Sequence, residues 1–540
     1  MLDLPVLEPL PEFTGSDQSF RLAKKWLETC LEEHSQLCYE SQTPSPLPKR
    51  VLDLGGFPDG IRLLEDSDET APYICLSHCW GNATFHPLRT TSENISSHGR
   101  GIPFADLPKT FREAAIVVRR LGYRYLWIDS LCIIQDDGED WREQASMMAD
   151  IYQRCLLTIA AAAAANSAQG LFIQISPEPR GILLSALTER EDDSNVWIRQ
   201  ELEHGREPLG TRGWVLQERA LSPRTLYFGK DELTWECLEA AACQCSRTIS
   251  ISSTLKSRVH SGSEERPRSK EAVFDDWYSV VEEYSNLQLS KEEDIFPAIS
   301  GISKQFRTLL GSQYIAGLWR DDILLGLCWH VDTWRRINPS QFRTKRSMKW
   351  RAPSFSWANL VLGQECSITH MSRYGWQDNQ CFKLIDAQCV PVGTDDTGQL
   401  SDAYIDLEGI LVAATIIRDL VGGRRWVLQG DSHSFRNHRI FPDYDWEIDG
   451  PHQIVNADEV FCLLVSDSKM DTSSWGRIWL ILREIKRKQD VRDGCGDTTE
   501  GIPVYERVGL FTEFDESDDD DIKHPCPVDL DGDKVVMRIT

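Results

Sequence analysis

The stretch that most constrains the fold is Tyr125 to Gln135, YLWIDSLCIIQ. Tyr, Leu, Trp and Ile run together with no charge before Asp129, the pattern of a strand buried on both faces rather than a half-wet, alternating one. Such strands belong to parallel sheets covered by helices, and open α/β sheets bind ligands beyond the carboxyl ends of their strands. Asp129 therefore marks the end of the sheet where a site is expected.

The flanking sequence supplies the helices. Leu107-Pro108 leads into Thr110-Phe111-Arg112-Glu113, which reads as a capping box, and Phe111, Ala114, Ala115, Val118 and Leu121 recur at helical spacing before Gly122. Asp140-Trp141-Arg142-Glu143 reads as the cap of a second helix with inner face Trp141, Ala145, Met148, Ile151 and Tyr152, and Leu156 to Ala160 follows as a strand. An earlier strand in YICLSHCWG, residues 73 to 81, stops abruptly at Ser77, His78 and Gly81, where a ligand can approach. Strand, helix and strand in succession make β-α-β units and parallel pairs. His78 reads as an ordinary surface or packed imidazole. Asp136, Asp137, Glu139, Asp140 and Glu143 suit a helix start, where the dipole favours negative charge, and they lack the glycine-centred spacing of a calcium loop.

Thr211 to Cys237 is the second informative stretch, with two short strands, Thr225 to Phe228 and Glu232 to Glu236, joined by Gly229-Lys230-Asp231 as a hairpin. Just before them, Glu218 and Arg219 follow Trp214, Val215 and Leu216. On chemistry alone the favoured reading is structural, a buried ion pair or hydrogen-bonding residues that position the turn, and the other is a catalytic Glu218.

Around this unit, residues 17 to 38 read as an amphipathic helix with Cys30, His34 and Cys38 along one side. Three soft donors can approach a zinc ion, but structural zinc takes four and the helix offers no fourth. Packing is the favoured reading, and no metal is expected. The domain expectation is a helical segment over 1–50, an α/β domain over 51–245, an exposed Ser/Arg/Glu-rich linker over 246–271, and a helical bridge passing into a β-rich α+β domain over 272–540. Trp277, Val280, Val281 and Tyr284 mark the bridge helix. The basic run Arg343 to Arg351 and the acidic block Glu513 to Asp521 read as solvated.

Composition narrows the partners. With 58 Lys and Arg against 84 Asp and Glu, the net charge of -26 disfavours nucleic acid or an anionic membrane surface for the chain as a whole. No apolar run reaches transmembrane length, and MLDLPVLEPLPEF has no signal-peptide pattern. The 16 Cys are scattered through apolar runs, as in a reduced, cytoplasmic protein. P-loop, GxGxxG, HExxH, GxSxG and kinase signatures are missing.

Taken in order, YICLSHCWG, LWIDSLCIIQDDGEDWREQASMMADIYQRC and RGWVLQERALSPRTLYFG with WEC resemble the fungal heterokaryon incompatibility (HET) domain. A looser likeness extends to the Trp26/Cys30/His34 helix and to YIAGLW, APSFSWA and YERVGLF. Phe355 stands where members commonly have Trp, and Gln144 where many carry Glu. The resemblance implies a cytosolic protein of non-self recognition whose activation leads to growth arrest or death, acting with other incompatibility or signalling proteins or as a homo-oligomer.

HET domains are in turn similar to Toll/interleukin-1 receptor (TIR) domains, flavodoxin-like α/β units of which some cleave NAD with a Glu. On that likeness YICLS ends in Ser as a TIR first strand does, LWID ends in an acid as its second strand does, and GWVLQER is similar to the TIR Trp-Cys-x-x-Glu element. The implied roles are Glu218 as the catalytic acid, Trp80 or Trp214 stacking on a base or ring, Ser77 binding phosphate or ribose, and Asp129 orienting a hydroxyl. NAD is then a substrate, and no cofactor is required. The alternatives are a non-catalytic oligomerisation module and a HET-like protein recruited to another task.

Overall fold

Strands buried at every residue form the centre of the first sheet. The computed structural model describes residues 10–34, 37–40, 45–56, 60–81, 87–176, 182–184, 196–198, 202, 207–245, 255–260, 268–332, 344–363, 366–373, 380–418, 426–430, 435, 438–448, 450–469, 474–485, 502–516 and 533–540. Two units are seen, Met1–Arg268 with Ala298–Gln305, and Ser269–Pro297 with Phe306–Thr540.

In the first unit the main sheet is made of β1 (Arg50–Gly56), β2 (Gly60–Glu65), β3 (Tyr73–Ser77), β4 (Tyr125–Ile128), β5 (Leu157–Ala160), β6 (Arg224–Phe228), β7 (Leu233–Cys237) and β8 (Ala241–Cys243), and Ile182–Leu184 pairs with Val196–Ile198 apart from it. They lie in the order β8-β7-β6-β5-β3-β4-β1-β2. The β3–β4, β3–β5 and β5–β6 pairs are parallel, and the remaining pairs are antiparallel. Every residue of β3, β4 and β5 is buried, as their unbroken apolar sequences require. The connections carry α1 (Lys109–Arg120), α2 (Gly138–Arg154) and α3 (Gly213–Leu221). From β3 the chain steps to one side into β4, then returns to the other side into β5, so β3 and β5 flank a switch point.

Local rules were overridden where tertiary partners were stronger. Thr110 and Glu113 do not form a capping box; the cap of α1 is Pro108, with no side-chain cap bond. Instead Glu113 Oε2 accepts the Leu171 and Phe172 backbone N–H at 2.5 and 2.9 Å, and Thr110 Oγ1 accepts that of Gly170 at 3.1 Å. One buried and one half-buried N–H group thus depend on one carboxylate. Glu113→Ala is expected to cost about 1–3 kcal/mol in urea unfolding of the first unit, with Glu113→Gln costing less because an acceptor remains.

The cap of α2 is Asp137, which accepts from Glu139 and Asp140 N–H. Asp140 is buried instead, holding Arg50 and the Ile134 N–H. The N-terminal helix runs Asp17–Glu32, with a separate short turn at Leu37–Glu40. Within the stretch expected to be exposed linker, Leu255–His260 is helical, and its buried Lys256 donates to the carbonyls of Arg219 and Ser222.

In the second unit, the expected bridge helix is Lys270–Ser285, burying Trp277, Val280, Val281 and Tyr284. A nine-stranded sheet follows, built from Phe382–Pro391, Leu400–Gly409, Val535–Ile539, Val504–Glu516, Ser474–Glu484, Glu459–Lys469, Leu411–Ile417 and Val427–Gly430 in spatial order, with His438–Pro442 pairing on Val504–Glu516. The β-rich expectation holds. Two charge-run readings do not. Arg346 and Arg351 of the basic run are buried, Arg346 against Glu506 and the Arg507 carbonyl, Arg351 against the carbonyls of Glu292 and Leu360. Glu513 belongs to a strand and lies buried 3.9 Å from Arg477, while residues 517–521 of the acidic block lie outside the described residues. Among the described residues no helix is long and apolar enough to cross a membrane, and the cysteines form no disulfide.

Candidate functional site

Ser77 closes β3, and its carbonyl accepts the Ala161 N–H at 2.9 Å, locking the carboxyl ends of β3 and β5 together. Gly81 ends the turn that follows, at φ +84°, a left-handed conformation that side chains disfavour. Ser77 Oγ is buried without a hydrogen-bond partner. That is an uncommon state for a hydroxyl in a native fold and asks for an explanation.

Asp129 follows β4 directly. Its Oδ2 accepts Trp80 Nε1 at 2.8 Å, and its Oδ1 accepts the Ser130 N–H at 2.7 Å. His78 Nδ1 lies 3.6 Å from Oδ1, and the His78 ring meets Phe111 edge-on at 4.9 Å. Burial pushes the imidazole down to about 4, against the pull of Asp129, so it is neutral at pH 7. Its Nε2 is buried with no partner. His78 is packed, as expected, but it is packed beside Asp129.

Glu218 comes from the far side, on α3, and is 4% exposed. Burial raises its carboxyl from 4.5 to about 7, reinforced by the charge of Asp129 and opposed by Arg212 and by the nearby Ser77 and Tyr152 hydroxyls. Those hydroxyls are close enough to favour the anion, yet Glu218 Oε2 has no hydrogen bond of good geometry. The cation acting on it is Arg212. Arg212, at the start of α3, donates to the His78 carbonyl and so ties the helix to the β3 turn.

The folded chain therefore brings Ser77, Trp80, Asp129 and Glu218 to one end of the sheet. Trp214 stands four residues before Glu218 on α3, half-buried, with its ring edge-on to Trp141 at 6.4 Å. Beneath lie Cys79, Ala160, Leu209 and Val215, packed with Tyr227. Sequence reasoning set His78 aside as an ordinary imidazole and missed Arg212 and Tyr152 as site neighbours. Arg212 had a signal, being the cation immediately ahead of the helix that carries a buried acid. Tyr152 had none beyond its place on the inner face of α2. Away from this end of the sheet, Cys30, His34 and Cys38 are joined by Cys237.

An apolar, water-poor setting with an unbonded carboxylate oxygen, an unbonded hydroxyl and a cation can bind hydroxyls and stabilise developing positive charge. Residues 73–218 match the family model described as "Heterokaryon incompatibility protein (HET)", a span that contains Ser77 and ends on Glu218. The chain is also 36% identical over 87 residues to "Heterokaryon incompatibility protein 6, OR allele" of Neurospora crassa. That match spans 15% of this chain and 12% of the relative's length. No solved structure matches the chain.

Proposed function

We propose, from the premise that this chain is a heterokaryon incompatibility (HET) domain protein, that it is a cytoplasmic effector of non-self recognition whose first unit cleaves NAD. One observation carries the enzymatic part: Glu218 Oε2 and Ser77 Oγ are buried, unbonded polar atoms beside Asp129, at the carboxyl ends of parallel strands. The parallel strands, numbered by chain order, lie second, first, third, fourth, which supports a flavodoxin-like and TIR-like core.

In the proposed reaction the bond from ribose C1′ to the nicotinamide nitrogen breaks, and its electron pair leaves with neutral nicotinamide. Positive charge then develops on the ribose. The Glu218 carboxylate stabilises that oxocarbenium-like state, in the way glycoside-cleaving carboxylates do. Water adds at C1′ and loses a proton, giving ADP-ribose. Ser77 and Asp129 hold ribose or phosphate oxygens, and Trp80 or Trp214 offers a ring to the base. The acid must be ionised to act, so cleavage should rise with pH through about 7, the value to which burial pushes Glu218.

The test is nicotinamide release by the purified full chain. Glu218→Gln should lower the rate by about 10²-fold or more, in line with the loss of a preorganised charge, while the far-ultraviolet spectrum is unchanged. Equal rates in both proteins, or no release by the native chain, would remove the catalytic reading. A second reading, a non-catalytic module that signals by self-association, is favoured by the fact that both Asp129 oxygens are already occupied by Trp80 and Ser130. Growth arrest on expression that survives Glu218→Gln would support it.

A further inference from the structure

The helical segment with Cys30 and His34 and the strand β7 are distant in sequence, yet they meet at one point. Donor atoms of Cys30, His34, Cys38 and Cys237 all lie within 4.8 Å of one another. Cys237 is the fourth donor that the N-terminal helix by itself could not provide. We propose that these residues form a structural zinc site of the Cys₃His type.

Geometry is the first support. Tetrahedral zinc with bonds of about 2.0–2.3 Å puts a sulfur and a nitrogen roughly 3.6 Å apart. His34 Nδ1 and Cys237 Sγ are 3.5 Å apart. Small side-chain rotations close the other separations. Three sulfurs are fully buried, and four protein donors leave no open position, which is the arrangement of a structural rather than a catalytic zinc.

Charge is the second support, and it is independent. Arg224 is fully buried at the start of β6, and among the described residues it has no carboxylate partner. It donates instead to Cys30 Sγ at 3.1 Å, to the Cys38 carbonyl at 2.8 Å and to the Leu156 carbonyl at 3.2 Å. The Ala240 N–H likewise donates to Cys237 Sγ at 3.1 Å. N–H donors aimed at two of the three sulfurs are the outer partners that metal-bound thiolates take. Zinc with three thiolates and a neutral imidazole leaves one net negative charge, which Arg224 balances.

Position is the third. Arg224 pairs with Cys237 across the β6–β7 ladder, and Leu156 immediately precedes β5, so the cluster sits at the amino end of the parallel strands. Glu218 and Ser77 occupy the opposite end. The zinc would clasp the N-terminal helix onto the sheet, taking no part in chemistry there.

The full chain, purified without added metal, should carry about one zinc ion per molecule by elemental analysis. Exchange with cobalt(II) should give the intense visible absorption of a tetrahedral thiolate complex. Cys38→Ser with Cys237→Ser should lower bound zinc at least tenfold. Because that variant can fail to fold, His34→Cys serves as the second arm: it retains four soft donors, and should keep the zinc while changing the cobalt spectrum. Native protein that binds no zinc after equilibration with the ion, a disulfide between any two of the three cysteines by mass spectrometry, or full zinc retention in the double variant would each overturn the site.

Discussion

Glu218→Gln should make the first unit more stable than the native chain at pH 8 and nearly equal to it at pH 4.5. The sign follows from the direction of the shift. Burial raises the folded carboxyl to about 7 while the unfolded one stays near 4.5, so between those values the folded state holds a proton that the unfolded state has lost. Native stability therefore falls as pH climbs through this window and levels off above it. At about 1.4 kcal/mol for each tenfold difference in proton affinity, the full penalty is on the order of 3 kcal/mol. Glutamine is close to the same shape and has no charge to desolvate, so it escapes the penalty. The measurement is the urea midpoint of both proteins across pH 4.5 to 8.5, followed by hydrogen exchange in β3 and β5. A gap that does not widen with pH would mean that Glu218 ionises without cost and is solvated in the folded protein. A gain in stability from deleting a buried acid, at the cost of activity, is also how strained functional sites behave.

Arg507→Leu should destabilise the second unit by about 3–5 kcal/mol, the cost of leaving a buried charge without its partner. Arg507 is fully buried and Asp443 nearly so. Two hydrogen bonds of 3.0 and 3.1 Å join them, two more run from Arg507 to the carbonyls of Leu327 and Trp329 at 2.7 and 2.6 Å, and the guanidinium lies 3.6 Å over the Trp329 ring. Burial raises the Asp443 carboxyl and lowers the Arg507 guanidinium, so each keeps its charge only through the other. Adding Asp443→Leu to Arg507→Leu should recover part of the loss, because an apolar pair has no charge to desolvate. Thermal unfolding of the two variants side by side checks both statements. A double variant no more stable than Arg507→Leu would show that the lost carbonyl bonds, not the unpaired Asp443, account for the cost.

Much of the first sheet could be read before folding, because its signals are local. Four apolar residues ahead of Asp129 cannot sit at a wet edge, and Gly122, at φ +92°, stops α1 where a side chain would be strained. The errors share a cause as well. Glu113 looks like a helix-capping glutamate, but its carboxylate is taken by the Leu171 and Phe172 N–H groups, far along the chain. Arg346 and Arg351 look like members of a solvated run, yet carbonyls exposed at strand and turn ends draw them inward. In each case the competing partner lies far along the chain, and no periodicity records it.

For the site, the end of the apolar strand nominated Asp129 and the abrupt stop of YICLS drew attention to Ser77, while Trp80, Trp214 and a catalytic Glu218 came from the resemblance to HET and TIR domains. What the residues of the chain could not declare is the environment of Glu218: that it lies 4% exposed, unbonded at one oxygen, between Arg212 and Asp129. Its proton affinity depends on desolvation, a property of everything packed around it. The same holds for Cys237, which becomes a fourth donor beside Cys30, His34 and Cys38 only because β7 pairs on β6 and returns next to the N-terminal helix. Backbone sterics and hydrophobic patterning act over a few residues and are written in the sequence; burial and charge proximity act through space, and only the tertiary structure decides them.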